Sequence, residues 1–485
     1  MKRDSAAETG CDEQGFGQTV TMQRTHLLRV GVFLGGLLAA QVMSRAAVVT
    51  YAAPAGEALS SEYEVVVQGK KVDVYTARVL DPPFAGQQWD YGGPYAFANF
   101  DMEGRVTVRV TAKRSLSNAV IRPRFPDVQL KPVDDHTVAI TFGSARKVSF
   151  EPDGKNGPLL LFANPMEQDA PKAGAPDVIY FGPGIHQAGR VNVGDKQTVY
   201  MAGGAVVKGA IVAQGSNIRI LGRGILDGSD YEWRKGPANF TVSITGTNVE
   251  VSGITIRGSS HWTIVPRGSR NVTVRNVKLC GGRVQNDDGI NPCNSQEVLI
   301  TDCFIRSDDD CVAMKGLDLK TPNNNVENVV VENCTLWCDR ARIFLLGHES
   351  RAAYMRHITL RNLEIIHYTM TPFLLEPGEE MRLEDVRIEN VKLHGEGQGE
   401  IARLKPVVNQ YMQNKVPGHV RGVHFKDVEV YGKPGAYLMQ LEGADARHQV
   451  QDVTLENVNV LGQQLKADSP NMQVGQHVGG VRFIQ

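Results

Sequence analysis

From about residue 217 onward, apolar and polar residues alternate in short bursts that return at a regular distance. The bursts read NIRILGRGI at Asn217, NVEVSGITI at Asn248, NVTVRNVKL at Asn271, EVLITDCFI at Glu297 and NVVVENCTL at Asn328. They continue as HITLRNLEI at His357, DVRIENVKL at Asp385, GVHFKDVEV at Gly422 and DVTLENVNV at Asp452. Each burst alternates with period two, breaks at a small polar residue and resumes, which predicts two short strands joined by a tight bend. A repeat of roughly 30 residues built from strands, with no helical stretch between them, predicts a parallel β-solenoid. One coil cannot bury its own apolar face, so neighbouring coils must stack. The sixth position of the unit reads Asn276, Asp302, Asn333, Asn362, Asn390, Asp427 and Asn457. Asn and Asp tolerate left-handed backbone, so this column is a ladder of bends. The seventh reads Ile254, Val277, Cys303, Cys334, Leu363, Val391, Val428 and Val458, an inward-facing stack. An antiparallel sandwich shows similar alternation but does not explain a polar column kept in phase. The expected fold is all-β, with a right-handed parallel β-helix over residues 178–485.

Upstream the period is lost. Strand-like stretches at Tyr63–Val67, Val106–Val110 and Thr137–Phe142 are separated by Pro-, Gly- and Asp-rich turns, which predicts a small β-sandwich over residues 58–165. The Pro-, Ala- and charge-rich stretch Ala163–Pro176 reads as the linker, and Phe181-Gly-Pro-Gly-Ile-His186 opens the first coil. At the N-terminus, Arg24, His26 and Arg29 precede the apolar run Val30–Ala40, and Ser44, Ala46 and Ala47 follow it. A bilayer span needs about 20 apolar residues, so basic, apolar, then small residues in this order predict a secretory signal over residues 1–47. Met22 offers an alternative start for it. The protein is then expected to be secreted or periplasmic, with no membrane attachment after cleavage.

Charge narrows the partners. The chain has 52 basic and 53 acidic residues, for a net charge of −1. No nucleic acid or anionic membrane is expected as a partner. Six of the seven cysteines lie downstream of the signal, none in a CxxC pair with metal-ligand spacing. No metal and no cofactor are expected, and Cys303 and Cys334 read as small hydrophobes in the inward column.

Two acidic clusters fall at the ends of successive coils, Asn286-Asp287-Asp288-Gly289 and Asp308-Asp309-Asp310-Cys311. Stacked coils lie about 4.8 Å apart, so the two clusters face one another across a groove. Crowded carboxylates raise one another's pKa and keep a proton near neutral pH. Glycoside hydrolysis uses such a set, one acid for the leaving oxygen and one carboxylate for water. Solvated turns and a calcium site use the same oxygens and remain alternatives.

SSHWTIVPRGSRNVTVRNVKL followed by NDDGINPCNSQEVLITDCFIRSDDDCVAMKG resembles the polygalacturonase family of glycoside hydrolases. That family carries Asn-x-Asp-Gly and, one coil on, Asp-Asp-Cys-Val-Ala. GRGILDGSDYEW, from Gly222 to Trp233, is similar to its early Gly-x-Gly-x-x-Asp-Gly stretch. The resemblance covers about residues 178–350 and reaches the related dextranase-like β-helix hydrolases. It implies Asp309 as general acid, Asp288 and Asp310 as the groups that activate water, inversion at the anomeric carbon, and Asn286 shaping the −1 subsite. Two motifs depart from the family. Asp339-Arg340-Ala341-Arg342 occupies the Gly-His-Gly position, where Arg342 replaces the histidine, and Gly347-His348-Glu349 sits where a Gly-Ser-Glu-like stretch belongs. Arg403-Leu404-Lys405 matches the family's carboxylate-gripping Arg-Ile-Lys but lies one coil late, the expected coil carrying Pro372–Pro377 with Glu376. Lys315, Glu376, His348, Arg403 and Lys405 are therefore groove candidates, as are Trp262 and Trp337 for stacking on sugar rings.

These readings predict a monomeric, polysaccharide-cleaving hydrolase, acting on galacturonan or on another glycan such as a dextran-like glucan. A calcium-dependent β-helix lyase and a non-catalytic glycan-binding β-helix stay open as rivals.

Overall fold

The computed structural model describes residues 46–81, 84, 94–168, 170–318 and 324–485. The expected signal over 1–47 lies outside the described residues except for its last two. Strands make up the regular structure, and among the described residues no helix is long and apolar enough to cross a membrane.

From Val178–Phe181 to Arg482–Ile484 the chain winds as a parallel β-helix, its coils paired in register. The second position of the repeat forms one continuous row, Val249, Val272, Val298, Val329, Ile358, Val386, Val423 and Val453. With the Ile254-to-Val458 column it fills the buried core. Every sixth-position Asn and Asp has positive φ, and Gly253 takes the same bend at φ +82°. The first position forms a second left-handed ladder that the alternation alone does not announce. It runs through Asn217, Asn248, Asn271, Glu297, Asn328, His357, Asp385, Gly422 and Asp452, with φ between +50° and +68°. Asn side chains zip the coils at these bends, Asn271 Nδ2 donating to Asn248 Oδ1 at 2.7 Å and Asn390 Nδ2 to Asn362 Oδ1 at 2.9 Å. The six described cysteines are buried free thiols, filling volume as small apolar groups.

Residues 47–165 form two sheets packed face to face. One pairs Tyr63–Val67, Val106–Ala112 and Thr137–Phe142 with Lys70–Val72 and Val128–Asp134; the other is built on Tyr95–Glu103, Leu159–Pro165 and Lys147–Glu151. Val65, Val108, Ile140, Phe100, Phe150 and Leu161 fill the space between them. Ala47–Thr50 pairs with Phe100–Glu103, so the sandwich starts at Ala47, earlier than the boundary at 58 that turn composition suggests. At its other end the strand Leu159–Pro165 takes up the first residues read as linker.

The outer face of the second sheet lies on the β-helix. Tyr75, Phe97, Leu160 and Phe162 pack on Val206, Ile225, Phe304, Trp337 and Ile366. Charge is buried there in matched pairs. Arg257 reaches Asp227 at 2.6 Å and Glu57 at 2.8 Å, Arg223 reaches Asp101 at 2.8 Å, and His367 reaches Glu151 at 2.9 Å.

Candidate active site

A second face of the β-helix carries no sandwich strand among the described residues. Its six-stranded sheet comprises Val312–Gly316, Phe344–Ser350, Phe373–Leu375, Glu400–Leu404, Leu438–Leu441 and Met472–Val474. Bridges align Ile264, Ile290 and Val312, and strand pairing continues the row through Phe344, Phe373 and Ala402. Two residues earlier, the same register stacks Trp262, Asp288, Asp310, Arg342, Thr371 and Glu400 into one column. Gly289 permits this approach, since a Cβ there would lie 2.4 Å from the Cys311 carbonyl oxygen. The apolar floor beside the column is Ala313, Leu345 and Leu374.

Asp288 and Asp310 are therefore neighbours across one coil step, with Asp309 beside them at the rim. Asp288 Oδ2 accepts from Asn291 Nδ2 at 2.8 Å and lies 3.6 Å from Lys315 Nζ, while its buried Oδ1 has no hydrogen-bond partner among the described residues. Asp310 Oδ1 accepts from the Arg342 backbone N–H at 3.1 Å. Asp309 is the least buried of the three, its side chain 13% exposed, and its Oδ2 accepts from Asn286 Nδ2 at 3.0 Å and Arg340 at 3.1 Å. Burial, then the Asp309 charge, pushes the Asp310 carboxyl up to about 7. The same two causes drive Asp288 well above the usual carboxylate range. Protons in such a set belong to the cluster rather than to one residue. Asp287 points away and organises the turn, accepting from the N–H groups of Gly282 at 2.7 Å and Asp308 at 2.6 Å.

Lys315 is buried yet kept charged, Glu349 at 3.2 Å, Asp288 and Asp310 outweighing its desolvation. Its ammonium lies 4.6 Å from the Trp262 ring centroid, and Trp262 stacks on Phe240 at 5.2 Å. Asp288, Asp309, Asp310, Asn286, Lys315, Arg342 and Trp262 thus come together. Trp337 does not: it is fully buried against the sandwich, donating Nε1–H to Asp339 at 2.6 Å, and cannot meet a sugar.

Further along the groove, Glu376 links two other candidates. His348 Nδ1 lies 3.7 Å from one of its oxygens, and Arg403 donates to the other at 3.4 Å. Arg403 also donates to Glu400 at 2.6 Å, so its guanidinium is held between two carboxylates. Lys405 turns aside to Glu442 at 2.8 Å. A cleft of about 350 Å³ lined by Arg342, Thr371, Leu374, Glu400 and Arg403 adjoins the aspartates. Arg340, Asn291, Glu349 and Glu400 were missed as groove residues by sequence reasoning. The spacing of Asn291 three residues after Asp288 and the Arg-x-Arg of Arg340 and Arg342 were the available signals.

Residues 186–335 match the family model of Glycosyl hydrolases family 28, which contains both aspartate clusters. Over that stretch, under a third of the chain, the sequence is similar to the polygalacturonase family of glycoside hydrolases. A probable polygalacturonase of Vitis vinifera is 38% identical over 70 residues, 14% of each chain. The probable exopolygalacturonase B of Emericella nidulans is 26% identical over 179 residues, 31% of this chain and 38% of its own. The isopullulanase of Aspergillus niger is 23% identical over 353 residues, 59% of this chain and 60% of its own. The chain thus spans less than two thirds of each of these relatives. Dex49A from Penicillium minioluteum shares the fold of this chain at TM-score 0.57 and 15% identity, over 90% of this chain and 96% of its own. A hyperthermoactive exopolygalacturonase from Thermotoga maritima does so at 0.51 and 17%, over 63% and 84%.

Proposed function

We propose that this chain is an exported hydrolase of the polygalacturonase type that cleaves a polysaccharide with inversion, using Asp288, Asp309 and Asp310. The observation that carries the reading is the stacking of Asp288 on Asp310, both buried with raised carboxyl pKa, beside the more exposed Asp309. One carboxyl gives its proton to the departing glycosidic oxygen as the bond to the anomeric carbon breaks. A carboxylate takes a proton from water as the water oxygen attacks that carbon from the other face. We assign the acid to Asp309, which lies at the groove rim, and water activation to Asp288 and Asp310. Asn286, hydrogen-bonded to Asp309, shapes the subsite at the cleaved bond. One observation favours a different division of labour. Burial and the neighbouring Asp309 charge let the Asp310 carboxyl keep its proton to about 7, which suits Asp310 as acid. Aryl glycosides separate the two, because a good leaving group does not need the acid. The variant that retains activity on them, Asp309→Asn or Asp310→Asn, has lost the acid.

The polygalacturonase relatives support a galacturonan substrate. A neutral glucan is favoured by the ion pairs that occupy Arg403 and Lys405, which leave neither free to grip a uronate carboxylate, and by the isopullulanase relative. Incubation with a panel of plant and microbial polysaccharides tests both. New reducing ends from galacturonan or from a glucan identify the substrate; unsaturated, ultraviolet-absorbing ends would mean a lyase, and no product from any glycan a binding protein.

A further inference from the structure

Outside the groove, three side chains from three different coils converge. Glu380 Oε2 lies 3.0 Å from His419 Nε2 and 3.4 Å from His448 Nε2, and the three donor atoms lie within 4.8 Å of one another. We infer that Glu380, His419 and His448 form a zinc site that clamps the loop between residues 405 and 418. Zinc held at 2.0–2.1 Å by nitrogen and oxygen needs ligand atoms about 3.3 Å apart, the edge of a tetrahedron, and the two carboxylate-to-imidazole separations bracket that value.

The orientation of His448 is the independent observation. Its side chain is buried, only 4% of the residue being exposed, and among the described residues its Nε2 makes no well-formed hydrogen bond, facing Glu380 Oε2 at 3.4 Å. A buried unsatisfied ring nitrogen costs stability unless a partner fills the place. Nδ1 meets Asp445 at 2.8 Å, and Asp445 is fixed by the N–H groups of Arg447 at 2.8 Å and His448 at 3.0 Å. A carboxylate on Nδ1 sets the tautomer that leaves an Nε2 lone pair for a metal, the arrangement found behind metal-bound histidines. On the other side, Arg447 takes Glu380 Oε1 at 3.0 Å and leaves Oε2 for the ion. The backbone presents Glu380 by an uncommon conformation, Glu379 and Glu380 both having positive φ, at +51° and +62°.

Glu380 and His419 are also where the loop is anchored. Glu379 accepts from the N–H groups of Gln413 at 3.0 Å and Asn414 at 3.1 Å, and His419 ends the loop with its N–H on Met381 O at 2.9 Å. The loop tip reaches the groove, where Asn409 donates to the His348 carbonyl at 2.8 Å and Tyr411 packs on the His348 ring at 5.3 Å. An ion at the base would fix the wall beside Glu376 and Arg403. The sequence alone gives no sign of this site because its ligands are 39 and 29 residues apart, with no local spacing.

The full-length protein, untagged and stripped with a chelator, is titrated with zinc chloride by calorimetry, and its melting temperature is followed with and without zinc. The expected result is one zinc per chain at micromolar affinity or tighter, and a melting temperature that rises with zinc. Glu380→Gln and His419→Asn, both at partly exposed positions, should abolish the binding and the zinc-dependent rise. Asp445→Asn should weaken binding about 10–100-fold while keeping the site. No binding by the native chain, or equal binding by Glu380→Gln and His419→Asn, overturns the inference.

Discussion

Beneath the sandwich, Arg257 sits between Asp227 and Glu57, Arg306 meets Asp339 at 2.9 Å, and Arg223 meets Asp101. In the open groove, Asp288, Asp309 and Asp310 crowd together, with Lys315 shared between Asp288 and Asp310 and one Asp288 oxygen unpartnered among the described residues. Both faces belong to one solenoid and both bury charge. Under the sandwich Asp227 is held in its charged form, well below the usual carboxylate range, burial being outweighed by Arg257 and Lys208. In the groove, burial and like charge push carboxyls the other way. Matched charge serves docking, and mismatched charge stores reactivity at a cost in stability.

The largest effect expected is on turnover. Asp309→Asn and Asp310→Asn should each lower kcat on a natural polysaccharide by about 10²–10⁴-fold or more with KM little changed, read from initial rates of reducing-end release. Arg257→Ala should leave Asp227 and Glu57 buried without their guanidinium and destabilise the chain by about 3–5 kcal/mol in denaturant unfolding, while the folded fraction keeps its kcat. Loss of turnover in Arg257→Ala with unchanged stability would erase the distinction between the faces.

The pH response should divide in the same way. Under the sandwich, burial alone would lower the His367 pKa, but Glu151 and Glu396 raise it. Its contribution is complete below about 6.5 and is lost as pH rises through the raised value. Glu396 behaves oppositely: His367 and Lys155 outweigh burial and lower it from 4.5 to about 2, so its contribution is present above 4.5 and lost as pH falls toward 2. In the groove, a required proton on the cluster gives activity that declines as pH rises through about 7. Melting curves of native protein and His367→Gln, set beside a pH–rate profile, check both. The smallest effect is at Trp262. Trp262→Ala removes an aromatic surface beside Lys315 and should raise KM by up to about tenfold, with kcat within a factor of two or three.

Much of this was legible because a solenoid repeats its physics. The Asn276-to-Asn457 column and the Ile254-to-Val458 column follow from alternation and phase, since each coil must present the same face to its neighbour. Asp288 and Asp310 were placed on consecutive coils by the same phase. Composition did not reveal the first-position ladder, because Glu297 and His357 carry no left-handed signature and take that backbone only through stacking. Trp337 misled for a similar reason: its outward register points to solvent until a sandwich over 170 residues earlier in the chain covers it. The coil on which Arg403 falls was read from sequence, but its confinement by Glu376 and Glu400 depends on side chains meeting across coils.

The most direct test is the melting temperature of Asp310→Asn against native protein at pH 8, measured beside its activity. Removing a buried carboxyl that titrates near 7, against 3.8 for the ordinary group, relieves a penalty that grows as pH rises from 3.8 and is complete above about 7. The expected result is a variant that is inactive and melts a few degrees higher, about 2–4 °C per kcal/mol for a large domain. A variant that melts lower, as expected for Arg257→Ala, and still cleaves polysaccharide would contradict it.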